Sequence, residues 1–356
     1  MNVIGFDIGG ANTKAAFITT KNGSLQKLRT NSEYFPVWKN PENLTKTLTK
    51  LARKLSKSTH IDLVTATMTA ELSDAYRTKR EGVNHILTQV EKTFPTIPTR
   101  ILDVDAKLRT IPEAKSEPLK VAAANWAATG WIISQLKKDC VVIDVGSTTT
   151  SIIPILKGTV AAEAKTDMEK LINGELIYTG SLRTNVAATV HTIPIRKRTA
   201  QVSSELFAQS ADVHLILNNI SEKEYTVDTA DGKGKTRKDA MVRLARIVCA
   251  DTEMLNEQEI AAMAQYVYEK QVEQIATGLR QVRGRVEKRG AKNVTAVVTG
   301  LGRNFLARKA ALQAGFAEVV DFGELVDDDV ARVSTAFAVA LMGASWLEGR
   351  FVGWMR

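Results

Sequence analysis

Apolar residues recur along this chain in two patterns, short runs and stripes at helical spacing. Short apolar runs predict β-strands, and they fall at 3–6, 15–20, 63–67, 101–104, 141–145, 151–156 and 294–299. Stripes at helical spacing predict helices at 41–57, 82–94, 121–136, 256–286 and 330–347. The stripe of the longest helix slips between Val267 and Val272, which predicts a bend or a change of packing partner there. No low-complexity segment or long flexible linker interrupts these elements.

Two of the predicted strands run into short turns that contain glycine, about half a chain apart. The first turn follows Asp7, the second follows Asp144, and each leads directly into another apolar strand. This order of strand, tight turn and strand differs from the strand-to-helix step of a Rossmann fold. The stretches FDIGGANTKAAFI and IDVGSTTTSIIPI share the aspartate, a following aliphatic residue, the glycine and a later threonine. The chain is therefore predicted to contain two related halves.

The residue types in these two turns suit the binding of a phosphate chain. Glycine lets a ligand approach the backbone amides closely, and small hydroxyl residues add further donors. The predicted phosphate-binding residues of the turns are Gly9, Gly10, Asn12, Thr13, Gly146, Ser147, Thr148 and Thr149. We expect Lys14 to neutralise phosphate charge, and Asp7 and Asp144 to hold Mg²⁺ through water. A plain tight turn beside a solvated aspartate is the alternative for either turn alone, and two such turns weaken that alternative.

A third glycine pair follows the predicted strand at 294–299. The strand opens into the sequence GLGR and then into a helix that runs to about residue 314. We expect Gly300, Gly302 and Arg303 to form a turn that contacts a nucleotide or a nucleotide-like group. A compact strand-to-helix turn without a ligand is equally compatible with this pattern.

In this order, the three elements resemble the phosphate and adenosine motifs of the actin-like ATPase superfamily, which includes sugar kinases. The resemblance implies an α/β fold with two ribonuclease-H-like domains around a central cleft. We expect domains at 1–117 and 118–356, because the polar stretch 112–118 is bracketed by prolines and is the best candidate for a joint. The second domain would carry an inserted substrate segment at about 157–255, and the final helix would pack back on the first domain.

The middle of the chain carries more specific motifs. They read TMTAELSD at 67–74, KREGV at 79–83, GELIYTG at 174–180, LRT at 182–184, SADVH at 210–214, DTADG at 228–232 and RLAR at 243–246. With the glycine turns, they resemble the hydantoinase/oxoprolinase-related proteins of the tetrahydromethanopterin-linked C1-transfer pathway, over nearly the whole chain. The resemblance implies a transferase of methanofuran-type cofactor biosynthesis. Its reaction would move an aminomethylfuran-methyl group from a diphosphate to the phenol oxygen of γ-glutamyltyramine, with release of diphosphate.

Charged residues of these motifs are the candidates for the chemistry of that reaction. Arg183 is expected to bind the leaving diphosphate together with Lys14, and a surface ion pair is its structural alternative. Candidates for catalysis are Glu71, Asp74, Asp212 and His214, and candidates for substrate binding are Glu81, Asp228 and Asp231. Helix capping and polar turns are the structural alternatives for the acids. Asp212 and His214 are predicted to share one face of a strand.

Length and composition narrow these possibilities only a little. The 356 residues suit two domains rather than one, and the net charge of +9 permits an anionic ligand without selecting one. No aromatic residues interleave the basic clusters, so we expect small-molecule substrates and no nucleic acid. Cys140 and Cys249 form no metal-binding or redox motif, and neither a signal peptide nor a membrane-spanning run is recognisable. We therefore expect a cytoplasmic protein that does not bind membranes.

Two other functions are compatible with the same sequence. An ATP-dependent small-molecule kinase, or a hydantoinase/oxoprolinase-like ATPase, would use the same glycine turns and would take ATP as its ligand. A non-catalytic regulator would bind a nucleotide without turnover. The turns do not decide among these functions, and a homo-oligomer is also left open.

Overall fold

The chain forms two compact units and contains two large mixed β-sheets. The computed structural model describes residues 1–326 and 328–354, without the side chains at 328 and 329. Unit 1 comprises Met1–Asp139, Ile153–Lys170 and Phe322–Arg356. Unit 2 comprises Cys140–Ile152 and Leu171–Asp321.

The strands lie close to the apolar runs of the sequence. They are β1 Asn2–Ile8, β2 Asn12–Lys21, β3 Ser24–Tyr34, β4 Leu63–Met68, β5 Thr99–Leu102, β6 Leu108–Arg109, β7 Cys140–Val145, β8 Thr150–Leu156, β9 Thr159–Val160, β10 Leu176–Ile177, β11 Thr192–Ile195, β12 Arg198–Gln201, β13 Thr295–Gly300 and β14 Val319–Asp321.

The helices connect these strands. They are α1 Leu44–Ser56, α2 Lys79–Thr93, α3 Ile111–Ser116, α4 Pro118–Val121, α5 Asn125–Ser134, α6 Asp167–Ile172, α7 Val186–Thr189, α8 Ser210–Ile216, α9 Arg237–Arg246, α10 Glu257–Lys288, α11 Arg308–Gln313, α12 Phe322–Leu325, α13 Asp328–Arg332 and α14 Ser334–Glu348. Two 3₁₀ turns, at Pro41–Asn43 and Ala70–Leu72, and a π-helical turn at Arg303–Ala307 complete the set in the described residues.

The sheet of unit 1 places the first glycine turn beside the end of a neighbouring strand. Its strand order is β3-β2-β1-β4-β5-β6, with β1 antiparallel to β2 and parallel to β4. The apolar stripes of α1 and α2 join the core on one face of this sheet. On the other face Gly5 leaves room for α14, because a Cβ at this position would collide with the backbone of Ala336. The final helix therefore packs on the first unit, as the sequence predicted.

The second large sheet, which carries the second glycine turn, repeats the central arrangement. Its order is β10-β8-β7-β13-β14, with β9 beside β8 and with β13 parallel to β7. A separate core belongs to a lobe, here called the 182–267 lobe, that contains α8, α9, the first half of α10 and the β11–β12 hairpin.

Three expectations from the sequence need correction. The chain divides after Asp139 rather than at residue 117, because the small face of α5 packs within unit 1, where a Cβ on Gly130 would lie 2.8 Å from Val160. The stretch Ile153–Lys170 belongs to unit 1, so the segment predicted at 157–255 is not a single insertion into one domain. The motif at 210–214 lies in a helix, α8, and not in a strand.

Candidate functional site

The first glycine turn is held so that its carbonyls face the protein. The turn at 9–12 closes with a backbone hydrogen bond of 3.0 Å from its first amide to its last carbonyl. The amides of Phe35 and Val37, just after β3, donate to the carbonyls of Ala11 (3.0 Å) and Gly10 (2.9 Å). Within the described residues, no backbone carbonyl accepts from the amides of Gly10 and Ala11. Unused amides at a glycine turn are what a phosphate oxygen requires.

The second glycine turn has the same backbone arrangement. The turn at 146–149 closes with an equivalent bond of 2.9 Å from its first amide to its last carbonyl. Three consecutive amides at 181–183 donate, each at 2.9 Å, to the carbonyls of Gly146 and Ser147. Among the described residues the amides of Ser147 and Thr148 have no backbone acceptor. The strand–turn–strand prediction is confirmed in both halves, whereas phosphate binding stays a prediction.

The two predicted metal-binding aspartates occupy equivalent positions in the two sheets. Asp7 lies opposite Lys14 on β2 and opposite Thr67 on β4, so these three side chains share one face. Asp144 lies opposite Thr299 on β13. No group of three or more His, Cys, Asp or Glu side chains arranged for a metal occurs in the part of the chain described here. One carboxylate in each unit fits Mg²⁺, which keeps several waters and takes one or two carboxylates.

The third glycine pair packs directly on the strand that carries Asp144. Gly300 has φ +84°, and a Cβ there would lie 2.5 Å from the Asp144 carboxylate oxygen Oδ1. The Gly302 amide donates to the Val145 carbonyl at 3.0 Å. Arg303 is buried and pairs with Asp321 through Nε and Oδ2 at 3.2 Å. These contacts account for a compact turn, and contact with a nucleotide stays a prediction.

Glu71 is a buried carboxylate at the end of β4, two residues after Thr69. The Thr69 amide donates to the Ile8 carbonyl at 2.9 Å, which ties this segment to the first glycine turn. Glu71 is 1% exposed, and no hydrogen bond of normal geometry reaches either carboxylate oxygen. Burial raises its pKa to about 7, against smaller opposing effects of its own amide, of Lys79 and of the Ala123 amide. Such a carboxylate is suited to accept a proton near neutral pH.

The other acids of the first half lie at the surface. Asp74 is exposed. Glu81 is also exposed and accepts a hydrogen bond from the Arg77 amide at 2.8 Å, while its own amide donates to the Thr78 hydroxyl at 3.1 Å. These bonds cap the start of α2, which is the structural alternative that the sequence offered for Glu81. Substrate contacts for Glu81 and Asp74 stay predictions.

The acids of the 182–267 lobe hold protein groups. Asp212 is fully buried, accepts from the Arg243 Nε at 2.9 Å and from the Tyr225 hydroxyl at 3.0 Å, and caps the start of α8. Burial raises its pKa, although Arg243 opposes that effect. Asp231 pairs with Arg243 at 3.1 Å and with Arg246 at 3.2 Å, and Asp228 is exposed. Catalytic and substrate-binding roles for these acids stay predictions.

His214 lies in the interior of the same lobe and does not share a strand face with Asp212. Its Nε2 lies 3.0 Å from Gln271 Oε1, and its Nδ1 lies 3.3 Å from Asn219 Nδ2. The ring packs on Phe305 with a centroid distance of 4.6 Å. Burial lowers its pKa to about 3, so the imidazole is neutral at physiological pH.

Gln271 was not identified from the sequence, and it contacts the residues just before the three amides at 181–183. Its Nε2 donates to the Thr179 hydroxyl at 2.8 Å and to the Gly180 carbonyl at 2.7 Å. A signal was available, because Gln271 stands four residues after Val267 and four before Ile275, at the point where the apolar stripe slips. Counting it as buried makes the stripe continuous.

The sequence predictions also concern the cysteines and the hydrophobicity of the helices. Cys140 is buried, as expected of a small apolar residue, whereas Cys249 is exposed, and neither forms a disulfide. Across residues 1–326 and 328–354, no helix is both long and apolar enough to cross a bilayer.

Comparison with known proteins identifies the family. The profile of the hydantoinase/oxoprolinase family matches residues 62–341. A relative from Methanocaldococcus jannaschii, named (4-{4-[2-(gamma-L-glutamylamino)ethyl]phenoxymethyl}furan-2-yl)methanamine synthase, is 40% identical over 339 residues, 95% of this chain and 96% of that protein. A relative of the same name from Methanococcus vannielii is 34% identical over 214 residues, 60% of this chain and 94% of that protein.

A solved structure extends the comparison to the fold. Nucleotide-free acetone carboxylase, an enzyme of ATP-dependent acetone carboxylation, aligns with a TM-score of 0.57 at 9% identity, over 96% of this chain and 70% of that one. At that identity the likeness concerns the fold alone. The chain has the two-domain α/β fold of the actin-like ATPases and belongs to the hydantoinase/oxoprolinase family.

Proposed function

We propose that this chain transfers an aminomethylfuran-methyl group from its diphosphate to the phenol oxygen of γ-glutamyltyramine, in methanofuran-type cofactor biosynthesis. The observation that carries the proposal is the 40% identity, over 95% of the chain, to a synthase named for the coupled product. That name contains a phenoxymethyl group on a furan, which is the ether bond that the proposed reaction forms.

The bond changes define what the protein must do. The bond between the furylmethyl carbon and the diphosphate oxygen breaks, and the phenol oxygen forms a new bond to the same carbon. The furan ring stabilises positive charge on that carbon, so the demanding tasks are to stabilise the leaving diphosphate and to remove the phenol proton. Preorganised donors aimed at developing charge are worth several kcal/mol, about 3–4 for one donor in the best-studied cases.

For the leaving group, we assign the unused amides of each glycine turn, taken within its own unit, to phosphate oxygens. Lys14 and Arg183 would add positive charge. Beside each turn, the aspartate of the preceding strand, Asp7 in unit 1 or Asp144 in unit 2, would hold Mg²⁺ through water and neutralise further charge on a phosphate group. The support for this assignment is that both turns have carbonyls bonded to protein amides, while two amides of each turn have no backbone acceptor among the described residues.

For the phenol proton, we assign Glu71 as the acceptor. Among the candidate acids, Glu81, Asp212 and Asp231 already hold protein groups, whereas no hydrogen bond of normal geometry reaches the Glu71 carboxylate. Glu71 also lies two residues after Thr69, whose amide is bonded to the carbonyl of Ile8, the residue just before the first glycine turn. A general base of this kind contributes roughly 10²–10⁴-fold to the rate.

The test is a diphosphate-release assay with Mg²⁺, the furylmethyl diphosphate and γ-glutamyltyramine. A matched control replaces the second substrate with its analogue that lacks only the phenol hydroxyl, and a separate arm contains ATP alone. We expect diphosphate release and the coupled ether, detected by mass spectrometry, only when the phenol is present. Formation of ADP without the ether would contradict the proposal and would favour an ATP-dependent enzyme.

A further inference from the structure

We propose that His214 is a positioning residue, which acts through Gln271 to fix the second glycine turn in the conformation that receives the diphosphate. The inference rests on the proposed function only in that this turn binds diphosphate. It assigns His214 a role different from the catalytic role that the sequence predicts.

The first step of the argument is the contact between Gln271 and the segment before 181–183. One amide group of Gln271 donates both to the Thr179 hydroxyl (2.8 Å) and to the Gly180 carbonyl (2.7 Å). The Gly180 amide in turn donates to the Thr184 hydroxyl at 2.9 Å. Gly180 is therefore held through both its carbonyl and its amide by buried side chains.

The second step is the close approach of Gly180 to the turn itself. A Cβ on Gly180 would lie 2.6 Å from the Thr148 carbonyl carbon, so the two backbones are in direct contact. The three amides that follow, at 181–183, hold the carbonyls of Gly146 and Ser147. A displacement of Gly180 by a few tenths of an ångström therefore moves the turn.

The third step is the orientation of the Gln271 side chain. Its amide nitrogen can face Thr179 and Gly180 only while its oxygen has a donor, and His214 Nε2, 3.0 Å from that oxygen, is the donor available. The Asn219 amide nitrogen, 3.3 Å from Nδ1, favours the tautomer with the proton on Nε2. The groups that contact the ring are uncharged at neutral pH, and they are Gln271, Asn219, Tyr268 and Phe305. None of these four groups prepares His214 to gain or lose a proton.

The experiment compares two substitutions at the same position. His214→Phe keeps the ring packed on Phe305 but removes the donor, and His214→Gln keeps a donor for Gln271. The matched control is Tyr225→Phe, which removes a buried hydrogen bond to Asp212 in the same lobe without touching Gln271. Calorimetry measures the affinity of each variant for inorganic diphosphate with Mg²⁺, and initial rates give KM and kcat across pH.

We expect His214→Phe to weaken diphosphate binding about tenfold or more, because a misplaced binding group typically costs that much. His214→Gln and Tyr225→Phe should stay within about threefold of the natural protein, since each retains the Gln271 donor. His214→Phe combined with Gln271→Met should bind no more weakly than Gln271→Met alone, because the two residues act in series. The pH profile of His214→Gln should overlay that of the natural protein.

Three results would overturn the inference. They are unchanged diphosphate affinity in His214→Phe, an equal loss in Tyr225→Phe, or the disappearance of a break in the pH profile of His214→Gln. Failure of the proposed function looks different. In that case the natural protein would make no ether, while the pattern of diphosphate affinities among the variants would still report on His214.

Discussion

The two glycine turns are the same structure supported in two different ways. Each follows a strand that carries an aspartate near its end, each closes with one internal backbone bond, and each has its carbonyls bonded to amides from elsewhere in its unit. In unit 1 those amides come from the residues just after β3, a strand of the same sheet. In unit 2 they come from 181–183, which depends on buried Gln271 and His214.

This difference shows how the protein fixes the orientation of the backbone amides in a binding turn. A backbone turn can present its amides to a ligand only if its carbonyls are satisfied by the protein. The first turn obtains those bonds locally, so its geometry should survive changes in distant parts of the chain. The second turn obtains them from a lobe with its own core, so its geometry should respond to substitutions far along the sequence.

A second contrast concerns the segments that are bonded to the strand ends beside the two turns. The amides of Thr69 and Gly302 make equivalent bonds, to the carbonyls of Ile8 and Val145, but only unit 1 then presents a buried carboxylate without a hydrogen bond of normal geometry, Glu71. We expect Glu71→Gln to lower kcat by roughly 10²–10⁴, the contribution of a general base. Exposed Glu91→Gln, in the same unit, is the control and should keep full activity. A near-normal kcat in Glu71→Gln would show that Glu71 does not accept the phenol proton.

The two units also differ in whether one buried carboxylate, Asp212 or Glu71, has a cationic partner, and this difference should appear in the pH dependence of the free energy of unfolding. In unit 2, Asp212 accepts a hydrogen bond from the Arg243 guanidinium. In unit 1, the pKa of Glu71 is raised from 4.5 to about 7, mainly by burial. Because the folded state keeps its proton longer than the unfolded state, Glu71 lowers stability as pH rises from about 4.5 to about 7. The full loss is about 3 kcal/mol for a shift of this size.

Denaturant unfolding of Glu71→Gln at pH 5 and pH 8 measures this effect. We expect the variant to gain stability over the natural protein mainly at pH 8. A constant difference between the two proteins across this range would show that Glu71 titrates normally.

Gly180→Ala tests the support of the second turn directly. A methyl group there meets the Thr148 backbone at 2.6 Å, which cannot move aside as a flexible side chain would. We expect kcat/KM to fall about 10²-fold, the cost of misplacing a binding group by about an ångström. Gly284→Ala on α10, where nothing lies within 4 Å of the added methyl, is the matched control. Equal activity in the two variants would show that the contact with Thr148 does not position the turn.

The smallest predicted effect is a difference in diphosphate affinity between alanine substitutions at the first glycine of each turn. A Cβ on Gly9 would lie 2.7 Å from the Asn12 carbonyl oxygen, whereas a Cβ on Gly146 would lie 3.5 Å from that of Thr149. Gly9→Ala should therefore lower diphosphate affinity about tenfold, and Gly146→Ala by no more than about threefold. Calorimetry with inorganic diphosphate makes the comparison. A reversed order would mean that backbone crowding does not set the tolerance of these turns.

The sequence predicted the glycine turns well because their information is local. Aspartate, glycine and flanking apolar strands fix a hairpin without help from distant residues. The strand predicted at 210–214 was wrong for the opposite reason, since every residue of α8 is buried. A helix that is buried on all sides has no polar face, so its periodicity is lost.

The local sequence pattern also could not predict which residues hold the second turn in place. Gln271 and Thr179 are far apart in the sequence, and only the folded lobe brings them to 2.8 Å. The domain boundary failed similarly, because the packing of α5 around Gly130, and not the prolines at 112 and 118, decides where unit 1 ends.

The most direct test of the central claim is the fate of the bridging oxygen in the furylmethyl diphosphate. If the phenol attacks carbon, a substrate with ¹⁸O between carbon and phosphorus must release all of its label in diphosphate, and the ether must carry the oxygen of the phenol. Mass spectrometry of both products decides the point. Label in the organic product would mean that the phosphorus–oxygen bond breaks, and the transfer of a furylmethyl group proposed for this chain would be wrong.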